Sequence, residues 1–539
     1  MTTGHNPGQG QELTLRLEIC DDLVLQCNNP REQLVSVEAE VEAVTAALKN
    51  LVRKAHLLKE RINELYSPFV RLLPPEIIAE IFIFCLPPFN LTEDSPPASG
   101  DTATPLRIGA VCSAWRRIAW TTPSLWATLV LRLTSSVKLS SQTALIHEWL
   151  SRSGQLPLSI RFIATEEVSW VNVTSEGMMT AIAEYASRWR NVDIRLPSMC
   201  YRHLPSCKDA EDFPLLESLS LKPPGGQGDR AHRIEIPMSP QLRYLSLSCL
   251  YLRSVTFHFE VLTHVDLESF YIDEMLETLR QTTSLVRLTT KKVLGGDDRH
   301  AIPEEPIVLP CLEEIDIVND KGTELPLLFE KISTPKLRSL RYTGENLQAA
   351  PVAEIVGLLK RSGCQLQTLG ISKAPIREEP LQSLLAATPS LTTLSLIMPS
   401  LTTLRHAPLT DAVLQTLDPQ WARSNKVNCS LPHLRNLTYS GAQGFTWPTM
   451  LRVLESRLPP PETKGSSSKQ TFIQKDSSSE NKVAHIRTVL LSLAFMTHEE
   501  NEAFPRPDPS AFDSLQARGA TVVNKVIIHN ETVADPPPP

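Results

Sequence analysis

Apolar residues return at alternating steps of three and four from Leu34 to Leu65: Leu34, Val37, Val41, Val44, Leu48, Leu51, Ala55, Leu58, Ile62 and Leu65. A seam of this period predicts a coiled-coil-like helix over 34–66, roughly 48 Å long at ~1.5 Å per residue. Ser67-Pro68 closes it, since proline cannot continue a helix. Such a stripe can pair with a second chain, giving a homodimer through 34–65, or pack along the chain's own downstream domain. A second pattern starts at Pro74-Pro75, which suits a helix N-terminus, with Glu76 in the first turn. Ile77, Ile78, Ile81, Phe82 and Cys85 then recur at helical spacing. Ile108, Val111, Cys112, Trp115 and Ile118 do the same, with Arg107, Arg116 and Arg117 on the polar side. Roughly 50 residues with this much apolar surface call for a partner surface.

Beyond Ala144–Leu150, a short helix, the run Leu156–Phe162 alternates as a strand does. A repeat follows, Leu-x-x-Leu-x-Leu with apolar substitutions, starting at Trp189, Leu216, Leu242, Leu262, Leu285, Leu312, Leu337, Leu366, Leu391 and Leu434. The starts lie 20 to 29 residues apart, except for a gap of 43 before Leu434 that holds an insertion or a degenerate unit. The last two apolar positions are two residues apart, so a short strand points both into one core. One unit cannot bury its apolar face, so neighbours must stack into a solenoid. Thr290, Tyr342 and Tyr439 occupy core positions, so the array is irregular. Helical pieces fall between strands, at 273–279, 352–359 and 380–386.

The expected fold class is therefore α/β: a long N-terminal helix and a helical module, then an irregular solenoid with a parallel sheet and helices on its convex side. The boundaries are a mobile arm over 1–33, the heptad helix over 34–66, and the helical module over 67–130 with a Pro/Ser-rich insertion at 87–105. The solenoid spans 131–458, a Ser-rich loop 459–482, terminal repeats 483–532 with a helix around 511–518 and a strand over 522–528, and a proline tail 533–539.

Residues 72–126 resemble an F-box, whose pattern is Leu-Pro-x-Glu-Ile…Ile-Phe, then Val-Cys-x-x-Trp-Arg, then Pro-x-Leu-Trp. Here the blocks are Leu73-Pro74-Pro75-Glu76-Ile77 with Ile81-Phe82, Val111-Cys112-Ser113-Ala114-Trp115-Arg116, and Pro123-Ser124-Leu125-Trp126. Together with the repeats, the chain looks like the F-box proteins with leucine-rich repeats that abound in basidiomycete fungi. The 87–105 insertion departs from the short link usual in that family. The resemblance implies a non-catalytic substrate-recognition subunit of an SCF-type cullin-RING ubiquitin ligase. Leu73, Pro74, Ile77, Ile81, Val111, Cys112 and Trp115 would hold the Skp adaptor, and through it the cullin, while the repeats would hold an unknown protein target. The alternative is a leucine-rich-repeat interaction scaffold that joins no ligase.

Chemistry narrows this further. A net charge of -7 argues against general nucleic-acid binding. No stretch reaches the ~18 apolar residues of a membrane span, and Met1–Gly10 does not read as a signal peptide. Ten dispersed cysteines do not make a disulfide framework, which fits the cytoplasm or nucleus. Phosphate loops, nucleophile elbows and His-Glu-x-x-His pairs are missing. Gly295-Gly296-Asp297-Asp298 reads as a turn, and Cys200, His203 and Cys207 lack the fourth ligand structural zinc takes. No cofactor is expected. The outward row of the strands is where recognition belongs: Asn191, Asp193 and Arg195, then Tyr244 and Ser246, then His264, Asp266, Glu268, Arg287, Lys291, Glu314, Asp316 and Arg341. Of these, Asp266, Glu268, Arg287, Lys291, Glu314, Asp316 and Arg341 form the central target-binding candidate. Signs alternate between strands, which disfavours a polyanion and suits a mixed-charge protein face. The competing reading is that adjacent opposite charges merely neutralise one another, at ~0.2–1 kcal/mol per pair.

Overall fold

The computed structural model of the protein describes residues 29–66, 68–89, 91, 103–133, 139–164, 176–197, 200–201, 213–224, 234–235, 239–252, 255–256, 258–296, 299–319, 324–345, 348–399, 407–458, 483–495 and 509–528. The bodies of the expected arm, of the 87–105 insertion, of the Ser-rich loop and of the proline tail lie outside the described residues, as do His203, Cys207, Asp297 and Asp298. The chain divides into two units, one of residues 1–85 and 105–121 and the other of 86–104 and 122–539.

The second unit is mixed α/β and organised by one parallel sheet. In chain order its strands are β1 (Thr128–Leu133), β2 (Leu158–Ala164), β3 (Trp189–Arg195), β4 (Ser218–Leu221), β5 (Ile234–Glu235) and β6 (Tyr244–Ser248). Next come β7 (Val255–Thr256), β8 (His264–Tyr271), β9 (Arg287–Leu294), β10 (Ile307–Val308), β11 (Glu314–Asn319) and β12 (Ile332–Ser333). Last are β13 (Ser339–Gly344), β14 (Thr368–Ser372), β15 (Thr393–Ile397), β16 (Asn436–Ala442), β17 (Thr488–Phe495) and β18 (Thr521–Ile528). Fourteen of them form the main sheet in strict sequence order; β5 with β7 and β10 with β12 make two small ribbons. All ten instances of the repeat supply a main-sheet strand. This is the solenoid-like architecture the spacing called for.

Register explains the core. Leu288, Ile315, Leu340, Leu369, Leu394, Leu437 and Val489 are successive Cα partners across β9 to β17, and all are buried. The next inward row runs Thr290, Ile317, Tyr342, Ile371, Leu396, Tyr439 and Leu491, which carries the three irregular positions. Both tyrosines are buried at leucine positions while finding polar partners: Asn319 donates to the Tyr342 hydroxyl at 3.2 Å, and Tyr439 donates to the Ala442 carbonyl. Burial pushes both phenols up from their ordinary value. The Thr290 hydroxyl is buried, with no hydrogen-bond partner among the described residues.

Helices fill the returns between strands, and neighbours along the sheet pack on one another: Leu325–Lys331 on Val352–Ser362, and that helix on Glu378–Ala386. Val352–Ser362 shows why the local sequence folds this way. Ile355, Leu358 and Leu359 face the core, Lys360 and Arg361 suit the negative end of the helix, and Gly363 ends it at φ 59° in the left-handed region. Arg361 then donates to the Phe329 and Ile332 carbonyls one coil back. A corner with no glycine signal recurs as well. Cys249, Ser269, Lys292 and Lys373 all take positive φ, one residue beyond Ser248, Glu268, Lys291 and Ser372.

One expected boundary shifts. β1 starts at Thr128, and Pro123–Trp126 is a 3-10 turn of the sheet unit, with Trp126 fully buried edge-on against Trp149 at 4.8 Å. The 43-residue gap is an insertion: β15 pairs directly with β16, and the helices Asp411–Leu417 and Pro419–Ser424 occupy the chain between them. Similarly β16 pairs directly with β17, so the Ser-rich stretch interrupts sequence without interrupting the sheet.

At β2 and β3 the outward row is not free surface. Arg161 and Asp193 form a 2.7 Å ion pair with both side chains buried; Arg195 reaches the same carboxylate at 3.2 Å, and Phe89 lies 4.8 Å from the Arg161 guanidinium. Asp193 is thus structural, while Asn191 is half-buried and donates to Ser159 Oγ at 3.1 Å. Removing the carboxylate strands a buried cation, so Asp193→Ala should cost ~3–5 kcal/mol in urea unfolding, several times the cost of Asn191→Ala.

Candidate interaction sites

The first unit holds five described helices: Pro30–Tyr66, Pro68–Leu72, Pro75–Phe84, Thr104–Val111 and Ser113–Trp120. The first starts four residues before the heptad seam. Pro74, at φ -58° and ψ 147°, is the N-cap of Pro75–Phe84, and Glu76 sits in its first turn as expected. The apolar residues of that helix divide between two faces. Ile78 and Phe82 are buried at 1% exposure, whereas Ile77, Ile81 and Phe84 are 48%, 36% and 85% exposed. Spacing of four and three residues puts the exposed three on one stripe.

The buried face meets an aromatic cluster, with the Phe82 ring 4.9 Å from Trp115 and Phe69 5.2 Å from Trp115. Cys112 is buried and is the N-cap of Ser113–Trp120, its sulfur accepting from the Trp115 backbone N–H at 3.5 Å. Gly109 lets the Trp120 ring rest against its helix; an added Cβ would stand 2.0 Å from Trp120 Cζ3. Of the seven expected adaptor residues, then, Ile77, Ile81, Pro74 and Val111 are exposed, Leu73 and Trp115 are half-buried, and Cys112 is buried. The sequence passed over Leu72 and Phe84, which are 78% and 85% exposed.

The second candidate lies on β6 to β13. Register aligns His264, Arg287 and Glu314 in one outward row, Asp266, Thr289, Asp316 and Arg341 in the next, and Glu268, Lys291 and Val318 in a third. All seven expected target-binding residues therefore occupy one continuous face, with strands ~4.8 Å apart. Most of their charge is spent locally. Arg287 pairs with Glu314 at 3.3 Å, Lys291 with Glu268 at 3.3 Å, and Asp266 accepts from Lys222 at 3.3 Å and from Ser246 at 2.8 Å. Lys222 follows β4, outside the window of the repeat, so spacing alone did not flag it.

Asp316 and Arg341 differ. They are direct register partners, yet no ion pair joins them among the described residues. Arg341 is exposed, and its stem lies over its next neighbour in the row, Gly370, where an added Cβ would stand 3.5 Å from Arg341 Cγ. Burial raises the Asp316 carboxyl above its ordinary value, against the pull of Arg341 and Arg287. Burial and Arg287 together lower His264. A depression of about 550 Å³ opens here, with Lys222, Arg287 and Lys291 set against Asp266, Glu268 and Asp316. Further along the first row the charges give way to Ser339, Thr368, Thr393, Asn436, Thr488 and Thr521, and Asn436 donates to Thr393 Oγ1 at 3.1 Å. Ion pairing on this face is concentrated on β8 to β11.

Among the described residues no group of His, Cys, Asp and Glu could hold a metal ion, and no disulfide joins the described cysteines. No described helix is long and apolar enough to cross a membrane. No protein-family model matches the chain, and no curated protein matches it as a relative.

A raised carboxyl favours the folded state below the ordinary aspartate range and loses that contribution as pH rises through the raised value. Asp316→Asn should therefore raise the urea midpoint near neutral pH, and the gain should vanish on acidification below the ordinary aspartate value. An equal gain at both pH values would contradict the burial argument.

Proposed function

We propose that this chain is a non-catalytic substrate receptor of an SCF-type ubiquitin ligase, acting in the cytoplasm or nucleus. The carrying observation is the exposed stripe Ile77, Ile81 and Phe84 on a helix whose other face is already buried on Phe69 and Trp115. Apolar side chains held outward by a packed helix are the kind of surface that a partner covers. The place of Ile77 and Ile81 within the F-box-like blocks supports the Skp adaptor as that partner. The mixed-charge face of β8 to β13 would hold the target protein, with Asp316 and Arg341 as the groups not already paired. A carboxylate kept at a desolvation cost is a natural place for recognition, because a cationic partner recovers that cost on binding. The receptor would do no bond chemistry; it would raise the effective concentration of a target lysine near the conjugating enzyme.

Substitutions separate docking from folding. Ile81→Asp should abolish binding to purified Skp adaptor while leaving helical content unchanged, and Phe84→Ala should weaken it more than tenfold, a loss of more than ~1.4 kcal/mol. Trp115→Ala should instead destabilise the helical unit, by less than the ~3–5 kcal/mol of a fully buried aromatic, because Trp115 is half-buried. Wild-type affinity in folded Ile81→Asp would leave the interaction scaffold as the reading. Arg341→Glu should weaken target capture more than Arg287→Glu, because Arg287 already has Glu314 as its partner.

A further inference from the structure

Among the described side chains of the helix Pro30–Tyr66 no apolar residue is buried: Val37, Val41, Val44, Leu48, Leu51, Leu58 and Ile62 are 55% to 65% exposed. A 37-residue helix of this kind, ~55 Å long, presents its seam from Leu34 to Ile62 to whatever covers it. Charge identifies the occupant. The first half of the helix is acidic, with Glu32, Glu38, Glu40 and Glu42 against Arg31. The second half is basic, with Lys49, Arg53, Lys54, Lys59 and Arg61 against Glu60 and Glu64. A helix polarised in this way complements its own reversed copy.

We propose that two copies of this chain pair through this helix as an antiparallel two-stranded coiled coil, with the dyad between Leu48 and Leu51. In that register Leu48 of one copy meets Leu51 of the other, and Val41 meets Leu58. The flanking positions then place Glu38 beside Lys59 and Glu40 beside Arg61, each pair occurring twice. A parallel pairing in register would set Lys54 against Lys59 and gather both acidic halves at one end. Flanking charges of this type decide partner and orientation in coiled coils. The inference is independent of the ligase reading, since it uses neither the adaptor stripe nor the sheet.

Sedimentation equilibrium of the full chain should give twice the 60.0 kDa chain mass at micromolar concentration. Leu48→Asp should return it to monomer with the sheet's unfolding transition unchanged. Under mild oxidation, Val37→Cys with Ile62→Cys should yield cross-links joining position 37 to position 62, read by peptide mass. Glu38→Lys with Glu40→Lys should raise the dimer dissociation constant about tenfold, and adding Lys59→Glu and Arg61→Glu should restore it. A monomer at tens of micromolar, a dimer that survives Leu48→Asp, or links joining 37 to 37 would each overturn the proposal.

Discussion

The sheet unit depends on the alignment of successive parallel strands in one register. Each coil contributes two or three inward side chains, too few to exclude water alone, and becomes stable only when the coils on either side complete the rows. This explains why the exceptions are tolerated. Tyr342 and Tyr439 stay in the row because their hydroxyls find Asn319 and Ala442, and the 43-residue gap is harmless because its two helices leave β15 against β16. The same alignment places side chains from distant parts of the sequence on one outward face, which is how Lys222, Asp266 and Asp316 come to line one depression.

Division of labour between faces is common to both units. In the helical unit, Ile78 and Phe82 are committed to the interior while Ile77, Ile81 and Phe84 are not. On the sheet, the inward leucine rows fix the fold, and the outward rows are spent on ion pairs at β8 to β11 and on hydroxyl and amide groups beyond. At β2 and β3 even the outward row is consumed by the fold, through Arg161, Asp193 and Phe89. Of the seven candidate residues, Asp316 and Arg341 are the two outside any ion pair among the described residues.

The sequence disclosed the strands because Leu-x-x-Leu-x-Leu has both a strand period and a coil period, and the two agree. It disclosed the long helix because nothing interrupts the seam. Other features were silent for physical reasons. Ile77, Ile78, Ile81 and Phe82 are all apolar, so composition could not say which two turn inward. The positive-φ corners fall on cysteine, serine and lysine, where no glycine marks them. Pro123–Trp126 reads as the last block of the helical module, yet Trp126 finds its partner in Trp149 of the sheet unit. The row of alternating charges was legible; which members already held partners depended on register, and only Asp316 and Arg341 were left over.

The central claim is that docking and recognition occupy separate faces, with the adaptor on the helical unit. Hydrogen–deuterium exchange of the full chain, with and without purified Skp adaptor, tests it most directly. The expected result is slowed exchange confined to Pro75–Phe84 and Thr104–Val111, with β8 to β13 unchanged. Slowing on those strands, or no slowing anywhere at saturating adaptor, would contradict it.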